Sequence, residues 1–268
     1  MARPHRPNIA GASYHVMARG IRREAIYLDD EDRGKFLRVL GDVARRYGWE
    51  CLAYCLMDNH YHAVVRTPQP NLSLGMRFVN GAYATAFNAR YGRDGHLFQG
   101  RFRSVLIRSS GHLRIAIRYV LRNPVAARLC TDPTGWPWSS YEATLSTDGN
   151  GLVSRTAALA WFDQDGDARD RFVRFIGADD ITASGDDALF DDVELPCAPG
   201  LAAPRPALED ILTQLPGAAG IAHAHGHHGY TFTEIALALG LSTSAVGRLL
   251  VAYEADMMRT ASTWPRAD

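Results

Sequence analysis

Along Tyr14-His15-Val16-Met17-Ala18-Arg19 apolar and polar positions alternate, which predicts a first strand. Gly20 to Glu24 follows as a basic loop. Acidic Asp29 to Asp32 suits a helix start, where the helix dipole favours carboxylates. Phe36, Leu37, Leu40, Val43, Ala44 and Tyr47 then keep helical spacing up to a stop at Gly48. Trp49 to Met57 and His60 to Arg66 predict two more strands, joined at the turn-favouring pair Asp58-Asn59. After the break at Pro68-Gln69-Pro70, Leu72 to Tyr91 predicts a second amphipathic helix, with Leu72, Met76, Val79, Tyr83 and Phe87 on one side. Gly92 to Gly95 is a turn, and His96 to Arg108 a strand interrupted at Gly100-Arg101. Ser109-Ser110 caps a third helix from Gly111 to about Arg122, where Asn123-Pro124 ends it.

Beyond Val125 the pattern changes. Trp136-Pro137-Trp138-Ser139-Ser140-Tyr141 is an aromatic segment suited to packing on the first domain. Thr156 to Ile176 predicts one or two short helices, and Ala178 to Pro206 reads as a mobile acidic linker. Near the C-terminus, Thr231-Phe232-Thr233-Glu234 fits a capping box. Ile235, Ala236 and Leu239 form an apolar face, Gly240 a turn, Ser242 a second cap, and Val246, Leu249 and Leu250 pack back. The spacing is that of a helix-turn-helix. The solvent-facing residues Thr243, Ser244 and Arg248 are its candidate DNA contacts, and a structural helical hairpin is the other reading.

The element order predicts an α+β fold: a ferredoxin-like (RRM-like) antiparallel sheet with helices on one face, plus a C-terminal all-α helix-turn-helix unit. The expected division is 1–145 for a catalytic domain, 146–206 for a helical segment and flexible linker, and 207–268 for the C-terminal domain. No apolar run is long enough for a membrane span. The basic N-terminus is followed by no apolar segment, so no secretory signal is expected. The four cysteines form no C-x-x-C pair, and Cys51 and Cys55 read as buried thiols, which suits a reducing cytoplasm.

Charge adds a clue that the net value of zero hides. Residues 1–130 hold 21 Lys+Arg against 9 Asp+Glu, a net of +12, and residues 131–268 hold 8 against 20, a net of −12. A basic half beside an acidic one predicts a polyanionic partner for the first. Arg19, Arg22, Arg23, Arg101, Arg103, Arg114, Arg118 and Arg122 are the candidate phosphate contacts. Phe98, Phe102 and Tyr61 are candidates for stacking on single-stranded bases, with burial in the core as the equal alternative.

The candidate chemistry starts at His60-Tyr61-His62. Residues i and i+2 of a strand share a face, so both imidazoles leave the sheet together while Tyr61 faces away. Two neutral imidazoles on a rigid strand can form half of a divalent metal site. Taken alone the pair reads as polar residues on a solvated face. On the third helix Tyr119 and Asn123 lie four residues apart, hence on one face. Alone, Tyr119 is a packed tyrosine and Asn123 a helix C-cap. Packed over the strand pair, they complete a site of two imidazoles, an amide oxygen and a phenol. A phenol can attack a DNA phosphodiester to form a covalent phosphotyrosine. Its ordinary pKa of about 10 calls for a metal to offset the developing charge.

These residues resemble the single-tyrosine HUH transposases, closest to the REP-associated tyrosine transposases. The resemblance covers about 10–145. It rests on Tyr14-His15-Val16 with Arg19-Gly20, on Met57 to His62, on Gly95-His96-Leu97-Phe98-Gln99-Gly100-Arg101-Phe102, on Tyr119 with Asn123-Pro124-Val125, and on Trp136 to Tyr141. It implies His60, His62 and Asn123 as metal ligands, Tyr119 as nucleophile, and Mg²⁺ or Mn²⁺ as cofactor. It further implies cleavage and strand transfer of single-stranded hairpin DNA through a 5′-phosphotyrosine. Asp58 stands where relatives commonly have proline, and Ala126-Ala127-Arg128 departs from a basic residue directly after the valine. The site can be completed within one chain or across a homodimer. A non-catalytic helix-turn-helix regulator and an RNA-recognition-like module are the competing readings, and the intact set of four argues against both.

Overall fold

In a computed structural model of the chain, the described residues are 8–147, 150–163, 166–178, 207–228, 230 and 232–262. The chain divides into two compact units, Met1–Pro68 with Gly75–Val193, and Gln69–Leu74 with Glu194–Asp268.

The first unit is built on strands β1 (Ala12–Arg19), β2 (Glu50–Leu56), β3 (His60–Thr67) and β4 (Arg103–Ile107). Their order in the sheet is β2-β3-β1-β4, and every neighbouring pair is antiparallel. Pairing in register places Tyr14 opposite Val65, Val16 opposite Ala63 and Ala18 opposite Tyr61. These residues share one face. On the other face His15 is opposite Val64, Met17 opposite His62 and Arg19 opposite His60.

Helix α1 (Asp30–Tyr47) starts as its sequence predicts, with the Asp29 carboxylate accepting from the backbone N–H of Asp32, and stops at Gly48. It packs with α2 (Leu72–Tyr91) against the first face: Phe36 meets Tyr61 at a ring separation of 4.5 Å, and the Tyr61 hydroxyl donates to Asn80 Oδ1 at 2.6 Å. Helix α3 (Ser110–Ala126) packs against the opposite face, joining Val64, Cys55 and Ala53 through Leu113, Ala116, Ile117, Val120 and Leu121. The expectation of helices on one face therefore holds for α1 and α2 and fails for α3. Both faces of the sheet are apolar enough to need cover, and α1 and α2 fill only one.

Two boundaries differ from the sequence pattern. Strand β4 begins at Arg103, and the preceding segment from His96 pairs with the sheet backbone through an isolated bridge between Gly20 and Phe98. Helix α3 runs through Pro124 to Ala126. Proline costs a helix one hydrogen bond, but in the last turn the following amides still close it: Ala127 N–H donates to Asn123 O and Leu129 N–H to Pro124 O, both at 2.9 Å. Asn123 is thereby held in a regular turn rather than at a frayed end.

Trp136 to Tyr141 covers the outer edge of β2, as its apolar character predicts. The Trp136 indole N–H donates to Leu56 O at 3.0 Å, and Leu56 N–H donates to Trp138 O at 2.9 Å. Helices α4 (Tyr141–Leu145), α5 (Arg155–Ala160) and α6 (Ala168–Gly177) follow. Tyr141, Leu159, Phe162, Phe172 and Ile176 share one buried cluster with α3. The expected boundary at 145 cuts through this cluster. The expected acidic linker lies, apart from Ala178, outside the described residues. Cys51 and Cys55 are buried free thiols, as expected, and Cys197 is outside the described residues.

The second unit contains α7 (Leu208–Gln214), α8 (Ala218–His228), α9 (Phe232–Leu239) and α10 (Thr243–Ser262). The histidine tract His223 to His228 is the end of α8, where Ala224 is buried and His225 Nδ1 sits 2.8 Å from Tyr230 O. Its alanines keep a helical apolar face that the histidines obscure. Ile235, Ala236, Val246 and Leu250 form the core, whereas Leu239 and Leu249 are 37% and 41% exposed and do not pack back as expected. Gly240, at φ +64°, makes the left-handed turn between α9 and α10, and Ser242 Oγ accepts from Ala245 N–H at 3.1 Å. Thr231 of the expected capping box is outside the described residues. Among the described residues no helix is long and apolar enough to cross a membrane.

Candidate active site

The strand β3 turns His60 and His62 toward α3, and the helix answers with Tyr119. The His62 and Tyr119 rings lie 5.4 Å apart, edge to face, within one chain. The rings of His60 and His62 are 5.0 Å apart at an interplanar angle of 89°. Both histidines are buried, at 7% and 2% exposure, and so is Asn123 at 3%. Asn123 lies one turn after Tyr119 on the same side of α3. Tyr119 itself is only partly buried, packed on the edge of the α3 cluster.

A third imidazole completes the cluster. His15, on β1 and 3% exposed, places its Nε2 3.0 Å from His62 Nδ1. Its ring lies 5.6 Å from that of Tyr119. On the other side, His60 Nδ1 is 2.6 Å from Asn59 Oδ1. Sequence reasoning marked neither His15 nor Asn59 as a site residue. The alternation put His15 on the face of Arg19, but that this face meets β3's histidines requires the strand register.

Burial governs the charge state. It pushes the His62 imidazole well below its ordinary range, and the neighbouring charges of His15, His60 and Arg19 act in the same direction. Burial likewise brings His15 down to about 3, with His112 adding to the shift. Both rings are therefore neutral at physiological pH, the state in which an imidazole donates a lone pair to a cation. His60 and His62, side by side on β3, and Asn123 on α3 are residue types suited to holding a divalent cation. Among the described residues no group of three or more His, Cys, Asp or Glu gathers as a closed metal site.

The arginines divide into two sets. Arg22, Arg23, Arg101 and Arg103 are exposed, and Arg19, partly buried, is paired across the sheet with His60. Arg22 and Arg23 have φ of 53° and 63°, left-handed backbone that a non-glycine residue adopts under constraint. Their loop leaves Gly20, where a Cβ would lie 2.1 Å from Glu24 O, and it is held by Asn59 Nδ2 donating to Arg23 O at 2.9 Å. Arg118 and Arg122 behave differently. Arg122 donates to the carbonyls of Ile176, Gly177 and Ala178 at 3.0 to 3.1 Å, and buried Arg118 also donates to Ala178 O. They cap the C-terminus of α6, where unmet carbonyls attract cations. Arg114 is partly buried, with Nη1 3.5 Å from Trp161 O. The stacking candidates Tyr61, Phe98 and Phe102 are all buried in the core. In the second unit Thr243, Ser244 and Arg248 are exposed along α10.

An inner strand of the four-stranded antiparallel sheet thus presents two histidines toward a helix-borne tyrosine. Residues 8–123 match the family model described as "Transposase IS200 like". Among solved structures the chain is similar to a REP-associated tyrosine transposase bound to a REP hairpin. That match has 22% identity and a TM-score of 0.47, and covers 63% of this chain and 93% of the other. A structure described as a candidate transposase from Deinococcus radiodurans R1 matches at 22% identity and a TM-score of 0.33, covering 46% and 97%. The tRNA(His) guanylyltransferase of Saccharomyces cerevisiae matches at 11% identity and a TM-score of 0.35, covering 64% and 80%. No curated protein matches the chain significantly.

Proposed function

We propose that the protein is a metal-dependent DNA-nicking and strand-transfer enzyme of the HUH type, with Tyr119 as nucleophile, built on a ferredoxin-like sheet. The observation that carries this reading is the packing of the Tyr119 ring against His62 and His15 on the histidine-bearing face of the sheet, within a single chain. His60, His62 and Asn123 are the residues that would hold a Mg²⁺ or Mn²⁺ ion. Bound there, the ion would polarise the scissile phosphate and offset charge on the leaving oxygen.

The Tyr119 phenol loses its proton as its oxygen bonds to phosphorus. The bond from phosphorus to the 3′ oxygen breaks, and that oxygen gains a proton. The products are a 5′-phosphotyrosine and a free 3′-OH, and attack by another 3′-OH reverses the step on a new end. The rigid strand and the packed helix fix the nucleophile relative to the phosphate, which is the main demand of in-line displacement. Arg19, Arg22, Arg23, Arg101 and Arg103 would hold the DNA backbone. The substrate we assign from the family resemblance is hairpin single-stranded DNA.

The exposure of Thr243, Ser244 and Arg248 beside the Gly240 turn supports a second role for residues 207–268, as a helix-turn-helix that docks on duplex DNA. A chain that used only this unit would be a non-catalytic regulator. Incubation with hairpin single-stranded DNA and Mn²⁺, followed by denaturing electrophoresis, decides between them. A covalent adduct is expected from the wild type and none from Tyr119→Phe; an adduct that survives the substitution sinks the assignment.

A further inference from the structure

We infer that Asn59 and His15 are positioning residues: each fixes the Nδ1–H tautomer of one metal-site histidine, so that the Nε2 lone pairs of His60 and His62 are presented together to the cation. The inference rests on the metal-site reading above, and it concerns this chain's own hydrogen bonds.

The argument for Asn59 starts with its amide. Nδ2 donates to the Arg23 carbonyl at 2.9 Å, and an amide nitrogen can only donate. The hydrogen-bond network therefore assigns the other end, facing His60, as Oδ1, which can only accept. A contact of 2.6 Å between that oxygen and His60 Nδ1 requires the proton on Nδ1. In a neutral imidazole the second nitrogen, Nε2, then carries the lone pair. Asn59 is itself anchored, because its carbonyl accepts from Gly20 N–H at 2.8 Å. One asparagine thus joins the first histidine to the strained Arg22-Arg23 loop.

His15 plays the matching part for the second histidine. Two imidazole nitrogens 3.0 Å apart share one proton. With His62 Nδ1 as donor and His15 Nε2 as acceptor, His62 Nε2 is left with its lone pair and His15 keeps its own proton on Nδ1. The antiparallel ladder enforces the contact. His15 pairs with Val64, so it stands one diagonal step from His62 on the same face. Groups that fix the tautomer and orientation of ligating histidines are worth tens-fold in metal affinity where they have been removed.

The test uses the full chain without metal. Long-range ¹H–¹⁵N correlation spectra of its histidines report tautomers directly, and Mn²⁺ titration followed by electron paramagnetic resonance reports affinity. In the wild type His60 and His62 are expected as Nδ1–H tautomers. Asn59→Leu and His15→Leu are expected to weaken Mn²⁺ binding by roughly 10- to 100-fold. Asn59→Asp and His15→Gln retain an acceptor oxygen and are expected to stay within about 3-fold of the wild type, well inside that second-shell effect. A wild-type spectrum with His60 protonated at Nε2 overturns the inference without any variant. Mn²⁺ binding by the wild type and equally by both leucine variants overturns it while leaving the metal site standing. A wild type that binds no Mn²⁺ overturns the metal-site reading and the inference with it.

Discussion

Tyr61 and His62 are neighbours on β3, almost equally buried at 1% and 2% exposure, and they face opposite sides of the sheet. The Tyr61 side is an aromatic core. Phe36 lies 4.5 Å from the Tyr61 ring, Phe36, Tyr83 and Tyr27 lie 5.2 to 5.7 Å from one another, and the Tyr61 hydroxyl is satisfied by Asn80. The His62 side buries three imidazoles and an asparagine where leucines would pack as well. Burial of neutral polar groups costs free energy unless each is hydrogen-bonded. A fold gains nothing in stability from these polar groups, so the polar patch beside the α3 apolar cluster is the part of that face shaped by function, while the aromatic face is shaped by stability throughout.

The sharpest break of that comparison is Tyr119→Phe. Removing one hydroxyl from a partly buried ring leaves the packing intact, and the melting temperature is expected to shift by only about 1–2 °C. Strand-transfer activity is expected to fall by at least about 10⁴-fold, as for removal of a covalent nucleophile. The mirror experiment on the other face is Phe36→Ala. It should cost about 3–5 kcal/mol of stability, read by urea denaturation, because the cavity opens among rings that cannot collapse. If Phe36→Ala were tolerated with under about 1 kcal/mol of loss, the aromatic side would not be the stabilising core the comparison requires.

How much of this was legible in the sequence follows from the range of the interactions involved. The i, i+2 and i, i+4 spacings put His60 with His62 and Tyr119 with Asn123, because those relations are local to one strand or one helix. The charge asymmetry likewise needs only counting. His15 was out of reach because its role depends on β1 lying beside β3 in one register, a contact across 47 positions of sequence. The structural contacts of Arg118 and Arg122, which the sequence offered as DNA contacts, were out of reach for the same reason. Their partners are the carbonyls ending α6, some 55 positions away, and nothing local announces them. The end of α3 was misplaced at Asn123 because a proline signal is a local penalty that the last turn can absorb. The side of the sheet covered by α3 was also not a local property.

Acid should discriminate the two faces next. The ordinary histidine value is 6.5, and burial holds folded His15 near 3 and His62 well below its ordinary range. Above pH 6.5 these rings are neutral both folded and unfolded, and their contribution is complete. As pH falls through 6.5 the unfolded chain takes up protons that the folded chain refuses, so stability declines progressively toward the folded value. Carboxylates follow later: Asp29, held low by Arg90, loses its contribution only below its ordinary 3.8. Thermal melts are expected to drop already between pH 7 and 5, and His15→Gln should flatten that drop while Phe36→Ala shifts the whole curve without changing its slope. A drop of unchanged steepness in His15→Gln would show that the buried face is not the source.

The smallest effect separates the two sets of arginines. Arg122→Gln removes a cation from the carbonyls of Ile176, Gly177 and Ala178 and should lower stability by about 1 kcal/mol, as for other helix C-terminal cations. Arg23→Gln, on an exposed side chain, should leave stability within about 0.5 kcal/mol. In DNA binding the order reverses. Each lost phosphate contact reduces the slope of log affinity against log salt by about 0.7 for a single strand. Arg23→Gln is expected to show that reduction and Arg122→Gln to keep the wild-type slope. Equal slopes in the two variants, measured by fluorescence anisotropy over a salt series, would place Arg122 on the DNA after all. The capping of α6 would then be a contact that binding breaks, and α3, which carries both Arg122 and Tyr119, would have to shift with it.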